Sequence, residues 1–485
     1  MIDVLLINPG GRKKIYQNLA NTFAAKEPPL WVGLIAHYLK NKGFKVEVLD
    51  ADAKDLSPEE VGKKVNEINP LLTAIVVYGQ NPTASTPKMA GASPTAKMIR
   101  NYCPETKIIF LGLHPSALPK RTLLEEETDF ICQGEGPYTL EALIKVLKEK
   151  GDIKKVPGLW FKKDEEVLFT YPAPLIKNLD KEIPIMAYEL LPMDKYIAHN
   201  WHCFENLDER SPYGVIYTSL GCPFNCFYCP INTPFGKSGI RFLGLDKVIK
   251  QVEVLVEKYS VKNIKIVDEL FVLKKDRVEK FCDSIIKRGY DLNIWAYARI
   301  DTVEEKILEK MRNAGIKWLA LGIESANKDI REKVNKRLSK DIFKVVRMIK
   351  NAGIYVIGNY IFGLPDDNYE TMKETLNMAK ELNCEFANFY VAMAYPGSKL
   401  YEYALKNNWK LPKTWAGYAQ LSEETLPLPT KYLSPKEVLK FRDNAFYEYF
   451  TNENYLKMIK EKFGERVVAH IKEMTSFKIK RKYEC

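Results

Sequence analysis

The chain has 485 residues, too many for one ordinary hydrophobic core, so two or three domains are expected. Its composition, 46% hydrophobic and 28% charged, is that of a water-exposed folded enzyme, and no apolar run approaches the ~18 residues of a membrane-spanning helix. The net charge of +11 is carried by interleaved lysine and glutamate, which reads as a solvated surface and argues against a nucleic-acid partner. The Lys478–Lys482 tail is a basic patch that hints at an anionic or large substrate. Nine cysteines are an odd number for a disulfide framework, and three of them are grouped, so a reducing cytoplasm is expected. Met1 to Asn8 lacks basic residues ahead of its apolar stretch and reads as a strand, not a signal peptide.

Over residues 1–150, short β-branched runs alternate with helical segments. Strands are expected at Val4–Ile7, Lys45–Leu49, Ala74–Tyr78, Lys107–Leu111 and Asp129–Cys132, and a helix from Trp31 to Lys42 stops at Gly43. This rhythm implies βαβ units and a doubly wound parallel sheet. Ligands of such sheets bind over the carboxyl ends of the strands. The loops there are rich in special residues: Asn8, Gly10 and Gly11; Gly79 and Gln80; Gly112 and His114; Gly134, Glu135 and Gly136. Residues 151–212 are rich in proline and aromatics without clear periodicity and read as an ordered linker.

From Gly214 a regular βα rhythm begins. Strands are expected at Val215–Thr218, Ile264–Val267, Asn293–Trp295, Trp318–Leu321, Val356–Ile361 and Phe386–Val391, with helices such as Leu245–Lys258 and Val303–Asn313 between them. Six units are too few to close an eight-stranded barrel. Residues 401–485 look helical and basic, a cap on the barrel.

The first of these strands leads into Gly221-Cys-Pro-Phe-Asn-Cys-Phe-Tyr-Cys-Pro230, which spaces Cys222, Cys226 and Cys229 as C-x3-C-x2-C on a tight loop. Iron–sulfur clusters are normally held by four thiolates, so three local ligands would leave one iron of a 4Fe–4S cluster open. An open position marks a catalytic metal site. Three local thiols also suit a zinc site, which would need a fourth ligand from His202 or Cys203. Polar groups recur where the later strands end: Asp268 and Glu269, Arg299, Glu324 and Ser325, Gly363, and Tyr395 to Ser398. In βα barrels that rim carries the chemistry.

The cysteine triad, with Tyr228 before its third member, resembles the radical S-adenosylmethionine (radical SAM) superfamily. Residues 1–150, through Pro28-Pro-Leu30, Gly112-x-His-Pro-Ser116 and Gly134-Glu-Gly136, resemble the Rossmann-like cobalamin-binding domains fused to such enzymes. The resemblance implies a partial (βα)6 barrel over residues 213–400. It also implies a 4Fe–4S cluster on the three cysteines, S-adenosylmethionine and cobalamin. For S-adenosylmethionine it implies Asp268 and Glu269 at the amino group and Glu324 or Ser325 at a ribose hydroxyl. Arg299 and Lys336 fall to the carboxylate, and Tyr228, Asn359 and Gly363 to the adenine. Cobalamin would lie against Asn8, Gly10, Gly11, Gly79, Gln80, Gly112, His114, Gly134, Glu135 and Gly136. The first loop lacks the histidine with which many such domains ligate cobalt, so base-off binding without a histidine ligand is expected, with His114 the one histidine placed near the ligand.

In that family the reduced cluster cleaves S-adenosylmethionine to a 5′-deoxyadenosyl radical, which abstracts hydrogen from an unactivated carbon. With cobalamin present the implied reaction is methylation of that carbon. The alternatives are a non-methylating cyclisation, ring contraction or rearrangement, or a cobalamin- or cluster-based sensor. A low-potential donor such as flavodoxin or ferredoxin is the implied partner. The rim selects no lipid, sugar, peptide or other small molecule as substrate.

Overall fold

The structure is a computed structural model and describes residues 1–482. Two parallel sheets organise it. The first holds β1 (Val4–Asn8), β2 (Val46–Asp50), β3 (Leu72–Val77), β4 (Lys107–Gly112), β5 (Phe130–Cys132), β6 (Leu159–Lys163) and β7 (Glu166–Phe169) in the order β2-β1-β3-β4-β5-β6-β7. β1 to β5 are parallel, and β1 and β3 are completely buried, as expected of strands covered by helices on both faces. The chain leaves β1 toward β2 on one side and returns to β3 on the other, so the switch point of the sheet lies between β1 and β3.

The segment expected to be an ordered linker without periodic structure supplies β6 and β7, an antiparallel hairpin that extends this sheet. Its turn residues Asp164 and Glu165 both take positive φ, 48° and 66°. Hairpin turns of this kind usually announce themselves by Asn-Gly or Asp-Gly; here two acidic residues do the work, and the signal is hidden.

The second sheet holds β8 (Tyr213–Ile216), β11 (Asn263–Ile266), β12 (Asn293–Ala298), β13 (Ile316–Glu324), β14 (Tyr355–Phe362) and β15 (Phe386–Val391), all parallel and in sequence order. It is the open six-stranded barrel that the family resemblance implies, with strands where the βα rhythm puts them. A two-stranded ribbon of β9 (Ser219–Leu220) and β10 (Arg241–Phe242) brackets the cysteine loop. The helix Leu245–Glu253 runs on into a π-helical turn at Val254–Lys258.

The linker's aromatic end plugs the barrel floor. Trp201 lies edge-on to Trp295 and Trp318, with centroids 5.1 and 5.5 Å away. Phe463 stacks on Trp318 from the C-terminal helices. Each such pair is worth ~1 kcal/mol beyond the area it buries. The helices Pro435–Phe450, Glu453–Phe463 and Glu465–Ser476 cover the edge at β15, where Tyr449 donates to the Cys384 carbonyl at 2.6 Å. Within the basic tail Arg481 is buried, paired with Asp443 at 2.8 Å and bonded to the Ser422 carbonyl at 3.0 Å, while Lys478, Lys480 and Lys482 stay exposed. The Arg481 guanidinium so placed holds the tail against the body of the chain.

Candidate active site

The cysteine loop starts at Gly221, whose φ of 88° and close approach to the Gly239 carbonyl exclude a side chain. Backbone bonds pin the loop on three sides: Gly239 donates to Cys222 at 3.0 Å, Phe227 to Val334 at 2.9 Å, and Leu400 to Phe227 at 2.9 Å. Cys222, Cys226 and Cys229 are half-buried and unpaired. The fourth ligands a zinc site would need are engaged elsewhere: His202 bonds the Asn293 carbonyl at 2.9 Å and Cys203 lies 3.7 Å from the Glu209 carbonyl. A four-iron cube takes each thiolate on a different iron, so this donor set suits a cluster better than zinc. Burial pushes the Cys222 thiol up to about 11, with Glu269 adding to it.

Asp268 and Glu269, adjacent in sequence, differ in situation. Asp268 accepts the Thr218 amide and hydroxyl, both at 2.6 Å, and the Ser219 hydroxyl at 2.5 Å. Its carboxylate therefore holds the strand end that leads into the cysteine loop. Glu269 has no hydrogen-bond partner among the described residues and acts electrostatically on Cys222 and Cys229. Burial raises it to about 8, against the pull of Lys265.

Glu324 ends β13 at a register break with β14, and its φ is 68°. A non-glycine residue held there stores strain of order ~1–3 kcal/mol, a common mark of functional sites. Its carboxylate accepts Lys336 Nζ at 2.9 Å, and both side chains are buried. Burial alone would lower the lysine; Glu324 more than reverses that and raises it. A Cβ on Gly322 would come within 2.6 Å of this carboxylate and 2.8 Å of the ammonium, so glycine there makes room for the pair. Ser325 turns into the wall instead, bonding Thr375 at 3.2 Å. Arg299 is held by Asp301 at 2.9 and 3.0 Å and lies 4.0 Å from the Phe224 ring of the cysteine loop. Tyr228 is raised by burial and then by Glu324. Asn359 bonds the Leu321 carbonyl and Asn388. Gly363 is required by packing, because Val438 fills the space of its missing side chain.

On the first sheet, several predicted ligand contacts are structural. Asn8 donates to Asp50 at 2.7 Å and accepts Lys88. Gly91 of the helix Ser85–Tyr102 packs on the β1 loop: a Cβ on it would lie 2.0 Å from the Gly10 carbonyl, and one on Gly11 3.0 Å from Gly91, whereas Gly10 itself has room for a side chain. Gly112, with φ 135°, presses on the Val77 carbonyl. His114 is buried, bonded to Thr86 at 3.1 Å and edge-on to Trp415 at 4.4 Å. Burial lowers it to about 3, so it is a neutral core histidine. Gly134 accepts the Tyr78 hydroxyl at 3.0 Å, and Gly136 packs on Leu111. Glu135 is 3% exposed and binds Arg241 of β10 through both oxygens, at 2.5 and 3.2 Å, so it joins the first sheet to the hairpin of the cysteine loop. In the loop after β3, Gly79 packs on Ala84, while Gln80 faces the barrel with its Oε1 buried and without a partner. That orphaned oxygen, next to the switch point, fits a bound group rich in amide donors such as cobalamin.

A cavity of about 330 Å³ separates the two halves. The sequence reading missed most of its walls. Lys265, on β11, pairs with Glu27 at 3.0 Å and lies 4.7 Å from the Trp295 ring. Glu27 also accepts Tyr213 at 3.3 Å and stands 3.7 Å from His199. Burial would raise Glu27, but Lys265 and His199 bring it down to about 2. The available signal was Lys265 itself, one charge alternating with Ile264 and Ile266 in a buried strand.

The profile of the radical SAM superfamily matches residues 216–379, and that of the B12 binding domain residues 16–144. An uncharacterized methyltransferase of Pyrococcus horikoshii is 30% identical over 458 residues, 94% of each chain. The anaerobic magnesium-protoporphyrin IX monomethyl ester cyclase of Rubrivivax gelatinosus is 28% identical over 82% of this chain and 69% of its own. The radical SAM methyltransferase TsrM of Kitasatospora setae, solved with cobalamin and a 4Fe–4S cluster, shares the fold at a TM-score of 0.68 and 17% identity, over 93% of this chain and 89% of its own. A three-cysteine loop on an open βα barrel, a doubly wound sheet facing it and both family profiles on one chain agree: this protein belongs to the radical SAM enzymes that carry a cobalamin-binding domain.

Proposed function

We propose that this enzyme methylates an unactivated carbon of a substrate held between its two sheets. When bound, the cluster and cobalamin supply the one-electron cleavage of S-adenosylmethionine and the carriage of a methyl group. Residues 1–150 take the cobalamin, residues 213–400 the cluster and S-adenosylmethionine, and the region from residue 401 on closes the barrel edge through its described residues, joined by the linker 151–212. Cys222, Cys226 and Cys229 hold the cluster. Glu269 accepts the ammonium of the methionine moiety, since its carboxylate lacks a protein partner. Arg299 and Lys336 face the carboxylate and Glu324 a ribose hydroxyl, while Tyr228 packs on the adenine. Asp268 positions the loop. Gly79 and Gln80 contact the corrin. The enzyme works in a reducing cytoplasm with a flavodoxin- or ferredoxin-type donor; no described helix is long and apolar enough to cross a membrane.

The observation that carries this reading is the cavity bounded on one side by the B12-domain loop Gln80 to Pro87 and on the other by the barrel lumen. The test is transfer of a deuterated methyl group from S-adenosylmethionine by the reconstituted enzyme. Labelled product is expected, with both S-adenosylhomocysteine and 5′-deoxyadenosine released. Release of 5′-deoxyadenosine with no label in any acceptor would turn the assignment to a cyclisation or rearrangement, the activity named for the Rubrivivax relative.

A further inference from the structure

The cysteine loop has an outward edge, where Pro223 and Asn225, beside Cys222 and Cys226, are exposed. Hydrogen bonds tie the loop to three neighbouring segments, and each segment brings a cation with it. The Asn225 side-chain amide donates to Ser238 Oγ at 3.2 Å, next to Lys237. The Phe227 amide donates to the Val334 carbonyl at 2.9 Å, next to Lys333. Asn335 Nδ2 donates to the Asn225 carbonyl at 2.9 Å, two residues before Arg337. The Leu400 amide donates to the Phe227 carbonyl at 2.9 Å, next to Lys399. Lys237, Lys333, Arg337 and Lys399 are all exposed. Thr233 Oγ1 donates to the Gly397 carbonyl at 3.4 Å and so joins the segment of Lys237 to that of Lys399.

This rim is short of anions. Among the described residues Asp366 is the one carboxylate within 4.0 Å of any of the four cations; it lies 3.3 Å from Lys333 and is shared with Lys431. Glu332, on the same short helix as Lys333, is drawn to Lys328 at 3.9 Å. Elsewhere on the surface lysine and glutamate pair along helices, as Lys63 does with Glu59 and Lys145 with Glu141. Exposed cations without such partners do little for the fold and instead steer a molecule of opposite charge. Beside Lys333 a dip of about 100 Å³ is lined by Phe227, Leu364, Pro365 and Tyr403. An apolar centre within a charged rim is the anatomy of a protein interface, and electron-transfer encounters are among the smallest of these.

We infer that this edge docks a small acidic one-electron carrier protein, its carboxylates against Lys237, Lys333, Arg337 and Lys399 and its redox centre over Asn225. The inference deepens the proposed function and rests on it for the need of an electron; the charge of the partner stands on the rim alone. One electron passes from the reduced carrier, which is oxidised, to the cluster on Cys222, Cys226 and Cys229, which is reduced. No bond forms or breaks in that step. Asn225 offers a short route, since it is exposed on the rim and covalently joined to Cys226. Tyr228 and Cys229 lie on the other side of the loop, buried toward Glu324 and Glu269, where S-adenosylmethionine is proposed. Carrier and S-adenosylmethionine therefore reach the loop from different sides.

The test uses reconstituted holoenzyme, an acidic plant-type 2Fe–2S ferredoxin as the carrier and a basic cytochrome c as the control. Titration calorimetry should give saturable binding of ferredoxin and none of cytochrome c. Raising the salt from about 50 to about 500 mM should weaken the ferredoxin complex about ten-fold. The combined variant Lys237→Glu, Lys333→Glu, Lys399→Glu should weaken it about ten-fold or more at low salt and slow cluster reduction by ferredoxin in stopped-flow absorbance. Reduction by dithionite, which needs no docking, and the melting temperature should stay as in the wild type. Wild-type ferredoxin affinity in the triple variant, salt-independent binding, or equal binding of cytochrome c would each overturn the inference. So would an equal slowing of the dithionite reaction, which would make the lysines supports of the cluster. Ferredoxin binding lost in the triple variant, in a wild type that forms no 5′-deoxyadenosine with dithionite, would count against the proposed function and for the docking face.

Discussion

Glu269 and Asp268 are neighbours with separable tasks. Glu269→Gln removes a carboxyl that no other residue engages and that an adjacent ammonium would draw into its charged form, so S-adenosylmethionine affinity should fall about ten-fold or more, as expected for a lost charge-assisted bond, with iron content unchanged. Asp268→Ala releases three hydrogen bonds at the root of the cysteine loop, so iron retention should fall with it. Equilibrium dialysis and iron assay read the two; equal effects from both variants would contradict the division. Glu27 carries a pH signature. Its carboxyl sits at about 2 in the folded chain against an ordinary 4.5. A depressed acid stabilises the fold above its unfolded value and loses that contribution as pH falls through the window from 4.5 to about 2. The shift corresponds to ~3 kcal/mol at neutral pH. Glu27→Gln should therefore flatten the acid limb of a stability profile measured by denaturant unfolding. The triad was plain in the sequence because three like residues at short spacing announce a shared ligand. Glu27 was not, because its partner Lys265 lies more than two hundred residues away.

At the scale of elements, strand positions were legible wherever apolar runs alternate with helices, and all six barrel strands fall where the rhythm puts them. The roles of loop glycines were less so. A glycine at a strand end signals close approach, but not what approaches. Gly10 and Gly11 read as room for a ligand, yet Gly11 makes room for Gly91 of the helix Ser85–Tyr102, and Gly91 makes room for the Gly10 carbonyl. Gly91→Ala would drive a methyl group into the Gly10 carbonyl and push the β1 loop off that helix. Cobalamin occupancy should fall several-fold while iron content holds. Unchanged occupancy in a variant of normal melting temperature would show that the β1 loop does not shape the corrin site.

The molecule as a whole is held together by interior pairs that join distant segments. Glu135–Arg241 ties the first sheet to the hairpin around the cysteine loop, and Lys265–Glu27 ties the barrel to the segment before the first long helix. Removing one member of a buried pair leaves the other uncompensated, at a cost of ~3 kcal/mol. Arg241 is 26% exposed, so water offsets part of that cost, and Glu135→Gln should lower stability by about 1–2 kcal/mol in calorimetry and weaken cobalamin binding and cluster retention together. Loss of only one would show that the clamp does not couple the halves. Sequence alone reveals both halves, since each has its own periodicity, but not the space between them, which is made by residues of the linker, both sheets and the C-terminal tail meeting in three dimensions.

The central claim is that one chain holds both a cluster and a cobalamin. Anaerobic reconstitution with iron, sulfide and hydroxocobalamin, followed by desalting, absorbance and electron paramagnetic resonance, addresses it most directly. About four irons and about one cobalamin per chain are expected, with a base-off cobalt signal that carries no histidine splitting because His114 is sealed beneath Trp415. Cys226→Ala should lose the iron and keep the cobalamin. Iron without cobalamin, or a histidine-ligated cobalt signal, would contradict the account.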